Sequence, residues 1–138
     1  MPYRARLKVR FGDIDQAGVV YYPRFLHYFH VAMEEFFSAE VGMDYARVLL
    51  DHRFGFPAVH LEAEFRRPLR YGDEIDVEVK VARIGEASVD WRYFVYRVGE
   101  SEPVALGQVV TAGIDLDSFT SRSIPDWLRS ALLPHVQT

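Results

Sequence analysis

The order of apolar and polar positions divides the chain into a strand, a long helix and a run of further strands. Apolar residues alternate with polar ones from Tyr3 to Phe11, which is the period of a half-buried strand. From Arg24 to about Val41 the apolar residues recur at spacings of three and four, which predicts a helix. Pro23 suits the first turn of this helix and Gly42 suits its end. The apolar stripe consists of Phe25, Phe29, Ala32, Met33, Phe36 and Phe37.

Alternation of the strand type returns four times after a second, shorter helix predicted from Tyr45 to about His52. The turns between these strands contain Gly72, Gly85 and Gly99. The alternating apolar positions are, strand by strand, Val59, Leu61, Ala63 and Phe65; Ile75, Val77, Val79 and Val81; Val89, Trp91, Tyr93 and Val95; and Leu106, Val110, Ala112 and Ile114. A last short helix near Asp126 to Leu133 completes the predicted elements.

The long helix carries more apolar residues than a surface helix needs. We therefore expect it to be largely enclosed, and a curved antiparallel sheet is the only partner available. The predicted fold is α+β, a sheet of about five strands wrapped round one long helix, with residues 1–138 forming a single domain. One sheet face and the edge strands would stay uncovered, so self-association is expected.

Composition narrows the class of protein. Apolar residues make up 49% of the chain and charged residues 26%, as in ordinary globular proteins. No apolar run is long enough to span a membrane and no signal peptide is apparent, which favours a cytoplasmic location. The absence of Cys removes disulfides and thiolate ligands, and neither a metal nor a cofactor is expected. The net charge is −4 and the basic runs are short, which argues against a nucleic-acid partner.

Two carboxylates, Asp13 and Asp15, lie in a predicted turn directly before the long helix. The first N–H groups of a helix have no intrahelical acceptor, and the helix dipole adds partial positive charge there. A carboxylate beside such donors can act on a carbonyl that they polarise, which suits acyl transfer or hydrolysis without a metal. The alternative is structural, because an Asp in this position can also cap the helix or order the turn.

The same segment resembles the signature of the 4-hydroxybenzoyl-CoA thioesterase family of hotdog proteins, Phe-Gly-Asp-x-Asp-x-x-Gly-x-x-x-Tyr-Pro. A second segment, Phe65 to Asp73, resembles the turn that precedes the next strand in that family. The resemblance implies a hotdog fold, hydrolysis of an acyl-CoA thioester to free acid and CoA, and a homo-oligomer, either dimer or tetramer. The matching signature residues are Phe11, Gly12, Asp13, Asp15, Gly18, Tyr22 and Pro23.

The resemblance also implies roles for individual residues. The Asp that matches Asp15 acts in the family as nucleophile or general base, and the backbone N–H that matches Tyr22 polarises the thioester carbonyl. Asp13 is structural by the same matching. The turn at residues 84–88 lacks the basic run that some members use for the nucleotide phosphates, so the phosphate contacts of CoA stay open. Candidate substrate contacts are Gly18, Val19, His60, Arg66 and Arg67.

Two other functions compete with hydrolysis. A non-catalytic hotdog module could bind acyl-CoA, but such a binder has no need of Asp15 beside the thioester. A hotdog dehydratase or hydratase would need a His and an acid, and His60 is its only candidate, with no matching motif around it. A metal site formed by His27, His30 and Glu34 is conceivable from their helical spacing, although a solvated helix face is the favoured interpretation.

Overall fold

The computed structural model describes residues 2–137, and its largest feature is a five-stranded antiparallel sheet. Its strands are β1 (Tyr3–Lys8), β3 (Ala58–Phe65), β4 (Glu74–Ile84), β5 (Ser88–Arg97) and β6 (Ala105–Ala112), and they lie side by side in the order β1-β4-β5-β6-β3. A small second sheet pairs β2 (Phe54–Gly55) with β7 (Ile114–Asp115). The helices are α1 (Pro23–Phe36), α2 (Tyr45–Leu50) and α3 (Asp126–Leu132). None of these helices has the length and apolarity needed to cross a bilayer.

Helix α1 packs its apolar stripe against one face of the sheet. Phe25, Phe29, Ala32, Met33 and Phe36 are all buried, and they meet the buried, odd-numbered side chains of β4 and β5. Each large side chain removed from water in this way contributes about 1.5–3 kcal/mol to folding. A π turn at Phe37–Val41 ends the helical segment before the left-handed Gly42. The predicted α+β arrangement, about five antiparallel strands and one long helix, is confirmed.

The end of β1 differs from the prediction. The strand stops at Lys8 and a 3-10 turn follows at Phe11–Asp13, which takes the backbone out of the alternating pattern. Phe11 is 74% exposed as a result, whereas Val9 is fully buried. The prediction that Phe11 continues the apolar face of the strand is therefore wrong.

The face of β6 that meets the core also differs from the prediction. Trp91 of β5 pairs with Val109, and Tyr93 pairs with Gly107, so the odd-numbered residues of β6 face α1. Gly107 is needed there because a Cβ atom would lie 2.4 Å from Cε2 of Phe29. The apolar alternation at Leu106, Val110 and Ala112 is real, but these side chains lie on the opposite face.

Strand β3 forms one edge of the sheet and pairs only with β6. Every one of its residues is exposed, including Val59, Leu61 and Phe65. The alternating pattern predicted one buried face for this strand, but helix α1 covers that face only in part, and its large apolar side chains stay 43–64% exposed. The strand therefore presents apolar side chains and an open backbone edge to solvent.

Candidate active site

A tight hairpin carries the first of the two predicted motif segments. Its ends pair through the bridge between Ile14 and Val20, and the N–H of Asp15 donates to the carbonyl of Val19 at 3.0 Å. The loop closes where the N–H of Gly18 donates to the carbonyl of Asp15, also at 3.0 Å. Gly18 has φ +81°, a left-handed conformation that strongly favours glycine. The local geometry of the turn therefore explains why Asp and Gly occupy positions 15 and 18 of this hairpin.

The Asp15 carboxylate takes part in the same turn. Its Oδ1 accepts a hydrogen bond from the N–H of Ala17 at 2.8 Å, as Asp commonly does in such turns. Its Oδ2 has no hydrogen-bond donor within residues 2–137, and the residue is exposed. One oxygen thus orders the loop while the other remains available to a ligand.

The hairpin rests on the connection between β3 and β4. The N–H of Val20 donates to the carbonyl of Leu69 at 2.8 Å, and Val19 forms a bridge with Arg70. Leu69 is fully buried, so it anchors this contact to the core. The structure therefore brings together the two segments that resemble the thioesterase motifs, although they lie about fifty residues apart in the chain.

Asp13 holds the hairpin to helix α1. It is buried, and its Oδ1 accepts from Nε and Nη2 of Arg24 at 3.0 and 2.8 Å. Its Oδ2 accepts from the backbone N–H of Arg10 at 2.9 Å and the hydroxyl of Tyr28 at 2.8 Å. Burial alone would raise the pKa of Asp13, but these hydrogen bonds and the Arg24 charge outweigh it and hold the pKa below its usual value. Asp13 is therefore a buried structural carboxylate.

The start of helix α1 presents one free backbone donor. The N–H of Tyr21 is used, because it donates to the carbonyl of Asp13 at 2.9 Å, and Pro23 has no N–H. Between them, the N–H of Tyr22 has no acceptor in the described part of the chain. It lies at the positive end of the helix dipole and is exposed on a short segment that also contains Asp15. This donor can polarise the carbonyl of a ligand.

A shallow pocket of about 320 Å³ lies beside Tyr22. The Tyr22 ring contacts that of Phe65, which in turn contacts Phe25, so the pocket has an aromatic wall. Arg66 and Arg67, the two arginines that the sequence analysis names as candidate substrate contacts, line the same pocket, but both are engaged with acidic groups. Arg66 is paired with Glu64; Arg67 is paired with Glu100 at 3.0 Å and donates to the carbonyl of Glu102.

A second, apolar cleft of about 350 Å³ separates α1 from strands β3 and β6. The Phe29 ring stacks on Tyr93 with 5.0 Å between centroids, and burial raises the pKa of Tyr93. The polar groups on the cleft are His30 and Thr111, and the Thr111 hydroxyl accepts from Nε1 of Trp91 at 2.9 Å. The apolar lining is Leu26, Phe29, Met33, Phe56, Leu61, Tyr93 and Val109. Sequence analysis missed this cleft, although Leu26, Phe29 and Met33 do share a helical spacing of three and four.

Comparison with known proteins places these features in a family. Residues 9–132 match the model of the family described as the thioesterase-like superfamily. The chain belongs to the thioesterase-like superfamily. A 1,4-dihydroxy-2-naphthoyl-CoA hydrolase from Synechococcus elongatus is 30% identical, over 92% of this chain and 95% of that protein.

Solved structures of other proteins share the fold. A hypothetical protein from Thermus thermophilus superposes with a TM-score of 0.88 at 28% identity, and each chain is covered completely. A 1,4-dihydroxy-2-naphthoyl-CoA thioesterase from Synechocystis gives a TM-score of 0.87 at 23% identity, over 96% of both chains. The hotdog fold is thereby confirmed, and the chain is a thioester hydrolase, the enzyme class to which its named relatives belong.

Not every candidate from the sequence lies at this site. Gly18 and Val19 lie on the Asp15 hairpin, but His60 lies on the exposed edge strand β3, where its Nε2 is 3.2 Å from Glu62. In a single chain His60 lines neither the pocket nor the cleft. His27 and His30 point to different sides of α1, and only His30 contacts Glu34, at 3.1 Å. Within residues 2–137 no three His, Asp or Glu side chains are grouped as a metal site.

Proposed function

We propose that the chain hydrolyses an acyl-CoA thioester to a free carboxylic acid and CoA, with Asp15 as nucleophile or general base. The observation that carries this proposal is the presence of two unused groups within residues 2–137: the Tyr22 N–H, which has no acceptor, and one oxygen of the Asp15 carboxylate, which has no donor. Both groups belong to one short segment held rigidly by the Asp13 cluster. The family membership and the names of the relatives support the same reaction.

The reaction follows from the chemistry of these two groups. The thioester oxygen would accept the Tyr22 N–H, which stabilises the negative charge that develops as the carbonyl carbon is attacked. Asp15 would either attack that carbon, giving an anhydride that water then opens, or remove a proton from the attacking water. In both routes the C–S bond breaks, the sulfur leaves as the CoA thiolate and takes up a proton, and one water molecule is consumed for each acid released. Each route requires a carboxylate and not merely a polar side chain.

The apolar cleft supports an aromatic acyl group as the substrate. Its wall of Phe29, Phe56 and Tyr93 suits a flat ring, and His30 and Thr111 could contact polar substituents of that ring. Two of the proteins named above carry 1,4-dihydroxy-2-naphthoyl-CoA in their names, which is an aromatic acyl-CoA. The segment Phe11 to Pro23 also resembles the signature of 4-hydroxybenzoyl-CoA thioesterases. Gly18, Val19, Arg66 and Arg67 would flank the thioester arm near Tyr22.

The exposed strand β3 supports assembly into a homodimer. A second copy could add its own β3 along this edge and cover the apolar side chains Val59 and Leu61. Leu61 also lines the cleft, so the partner would close the acyl site, and His60 would lie at the same interface. A tetramer of two such dimers, a single domain over residues 1–138 and a cytoplasmic location remain predictions.

The decisive experiment is thiol release from a panel of aromatic and aliphatic acyl-CoA thioesters by wild type and Asp15→Asn. The amide oxygen of Asn can still accept the Ala17 N–H, so the hairpin is retained while the reactive carboxylate is lost. We expect kcat to fall by on the order of a hundredfold or more. Asp51→Asn, the same change in an exposed residue of the Arg47 ion pair, should leave the rate unchanged.

Two outcomes would contradict the proposal. Near-normal turnover by folded Asp15→Asn would exclude the carboxylate chemistry, and circular dichroism shows whether the variant is folded. Binding of acyl-CoA without thiol release from any member of the panel would instead favour a non-catalytic binding module.

A further inference from the structure

A basic groove of about 510 Å³ runs along the free edge of β1 beside helix α1. The basic groove is formed by Arg6, Lys8, Arg10, Arg24 and His27, together with the carboxylate of Glu74. It lies on the opposite side of α1 from the apolar cleft, since His27 and Tyr28 line one side and Leu26 and Phe29 the other. It is a separate surface from both pockets described above.

Two of the four Lys and Arg side chains in the basic groove lack an acidic partner in the described part of the chain, whereas Arg6 is paired with Asp76 at 2.7 Å and Arg24 with Asp13 at 2.8 Å. Lys8 and Arg10 have no side-chain ion pair within residues 2–137, and His27 has none either. Lys8 lies opposite Glu74 in the strand register, but the two groups are not within ion-pair distance. The Asp13 carboxylate beside the groove is buried and already occupied by Arg24 and Tyr28. The groove therefore carries unbalanced positive charge on a chain whose net charge is −4.

The arginines predicted to contact substrate, in contrast, already have acidic partners. Arg66 is paired with Glu64, and Arg67 with Glu100. A phosphate would have to displace those carboxylates before it could bind there, whereas Lys8 and Arg10 can bind an anion without breaking an existing ion pair.

The spacing of the cations fits more than one phosphate group. Side chains two residues apart on a strand lie about 7 Å from each other, so Arg6 and Lys8 extend along the β1 wall, and Arg10 lines the groove just beyond the end of the strand. Arg24 and His27 lie about one helical turn apart on the facing wall. A single phosphate would reach only part of this length, whereas a ligand with several phosphates could contact both walls.

We propose that the basic groove binds the phosphate groups at the nucleotide end of CoA, an inference that rests on the proposed function. The loop at residues 84–88 has no basic side chain and instead contains the acidic Glu86, so it offers no cation to these phosphates. The groove adjoins the catalytic segment, because Gly12 and Asp13 line it and Arg24 follows Tyr22 by two residues. The thioester would lie at Tyr22, with the acyl group in the cleft and the nucleotide on the other side of α1.

The test compares acyl-CoA with the corresponding acyl-pantetheine, which has the same thioester but no nucleotide. The double variant Lys8→Ala/Arg10→Ala removes two exposed side chains and leaves the Arg10 backbone N–H on Asp13. We expect KM for acyl-CoA to rise about tenfold or more with kcat unchanged, and KM for acyl-pantetheine to stay constant. Arg47→Ala is the matched control, because it removes an exposed cation far from the groove in the chain. An unchanged KM for acyl-CoA, or an equal rise with acyl-pantetheine, would overturn the assignment.

A second measurement does not depend on turnover. Calorimetric titration with CoA should show weaker binding to the double variant, by about tenfold, and normal binding to Arg47→Ala. If this difference is found but no thioester is hydrolysed, the proposed function fails while the groove assignment stands. Equal CoA binding by wild type and the double variant would overturn the groove assignment alone. The assignment would also be overturned if inorganic phosphate bound as tightly as CoA, because the groove would then be a phosphate site. A difference in oligomer mass between wild type and the double variant would overturn it too, because the groove would then be a subunit interface.

Discussion

Replacing Asp13 by Asn tests the strongest structural inference about this segment, that one buried carboxylate joins the hairpin to helix α1. Each carboxylate oxygen accepts two hydrogen bonds, Oδ1 from Arg24 and Oδ2 from Arg10 and Tyr28. An amide has only one acceptor oxygen. Whichever way the Asn side chain is turned, its NH2 group therefore faces two donors.

The size of the effect can be worked out from these contacts. If NH2 replaces Oδ2, the Tyr28 hydroxyl can rotate and accept, but the Arg10 N–H is left without an acceptor. If NH2 replaces Oδ1, both N–H groups of Arg24 lose a charged acceptor, although this side chain is 42% exposed and can reach water. A buried donor without a partner costs about 1–3 kcal/mol, and hydrogen bonds to charged groups contribute about 1.5–3 kcal/mol. We expect Asp13→Asn to lower the free energy of unfolding by about 2–4 kcal/mol.

The pH dependence of this loss has a definite sign. The pKa of Asp13 is lower in the folded protein than in the unfolded chain, so its ionised form stabilises the fold. That contribution is fully present above the ordinary Asp pKa of about 3.9 and is lost as the pH falls through the lower, folded-state pKa. The difference between wild type and Asp13→Asn should therefore be largest near neutral pH and shrink in acid.

Urea denaturation at pH 7 and at about pH 2.5, well below the ordinary Asp pKa, measures both effects at one fixed protein concentration. Tyr28→Phe removes only one donor and should cost about 1 kcal/mol. Asp51→Asn is the control, because its exposed ion pair with Arg47 should contribute less than about 0.5 kcal/mol. If Asp13→Asn unfolds at the same urea concentration as Asp51→Asn, the Asp13 carboxylate does not hold the hairpin to helix α1.

Two further predictions concern packing and assembly. Gly107→Ala should lower the free energy of unfolding by about 1–3 kcal/mol, because the new methyl group would meet a Phe29 ring stacked on Tyr93. Gly12→Ala, where nothing lies within 4 Å, is its control, and equal urea midpoints for the two variants would contradict this packing. Light scattering should give at least a dimer mass for wild type, and Val59→Lys on β3 should shift the mass toward the monomer, whereas Leu50→Lys should not. A monomer mass for wild type at micromolar concentration would exclude the proposed assembly.

Several features of the site follow from local rules and could be predicted from the sequence. The turn chemistry of Asp15 and Gly18 depends on neighbouring residues only, as does the start of α1 at Pro23. The apolar stripe of α1 is also a property of one segment, so the long enclosed helix and the position of Tyr22 at its N-terminus were predictable. The resemblance to a thioesterase signature covers this same local stretch.

Other features depend on residues far apart in the chain. The partners that make Asp13 structural lie 11 and 15 residues further on, at Arg24 and Tyr28. The basic groove is formed by β1 and α1 together, and the apolar cleft by α1 with β3 and β6. No spacing rule within one element predicts which side chains will meet across two of them.

Sequence by itself therefore determined the elements, the turns and the segment that carries the proposed chemistry. Only the tertiary structure decided the inward face of β6, because apolar residues occupy both of its faces and the pairing of Tyr93 with Gly107 selects one. It also decided that β3 is an exposed edge, since its alternating pattern is the same as that of a buried strand. Strand pairing and helix packing are long-range interactions, and they choose among faces that the local pattern leaves equivalent.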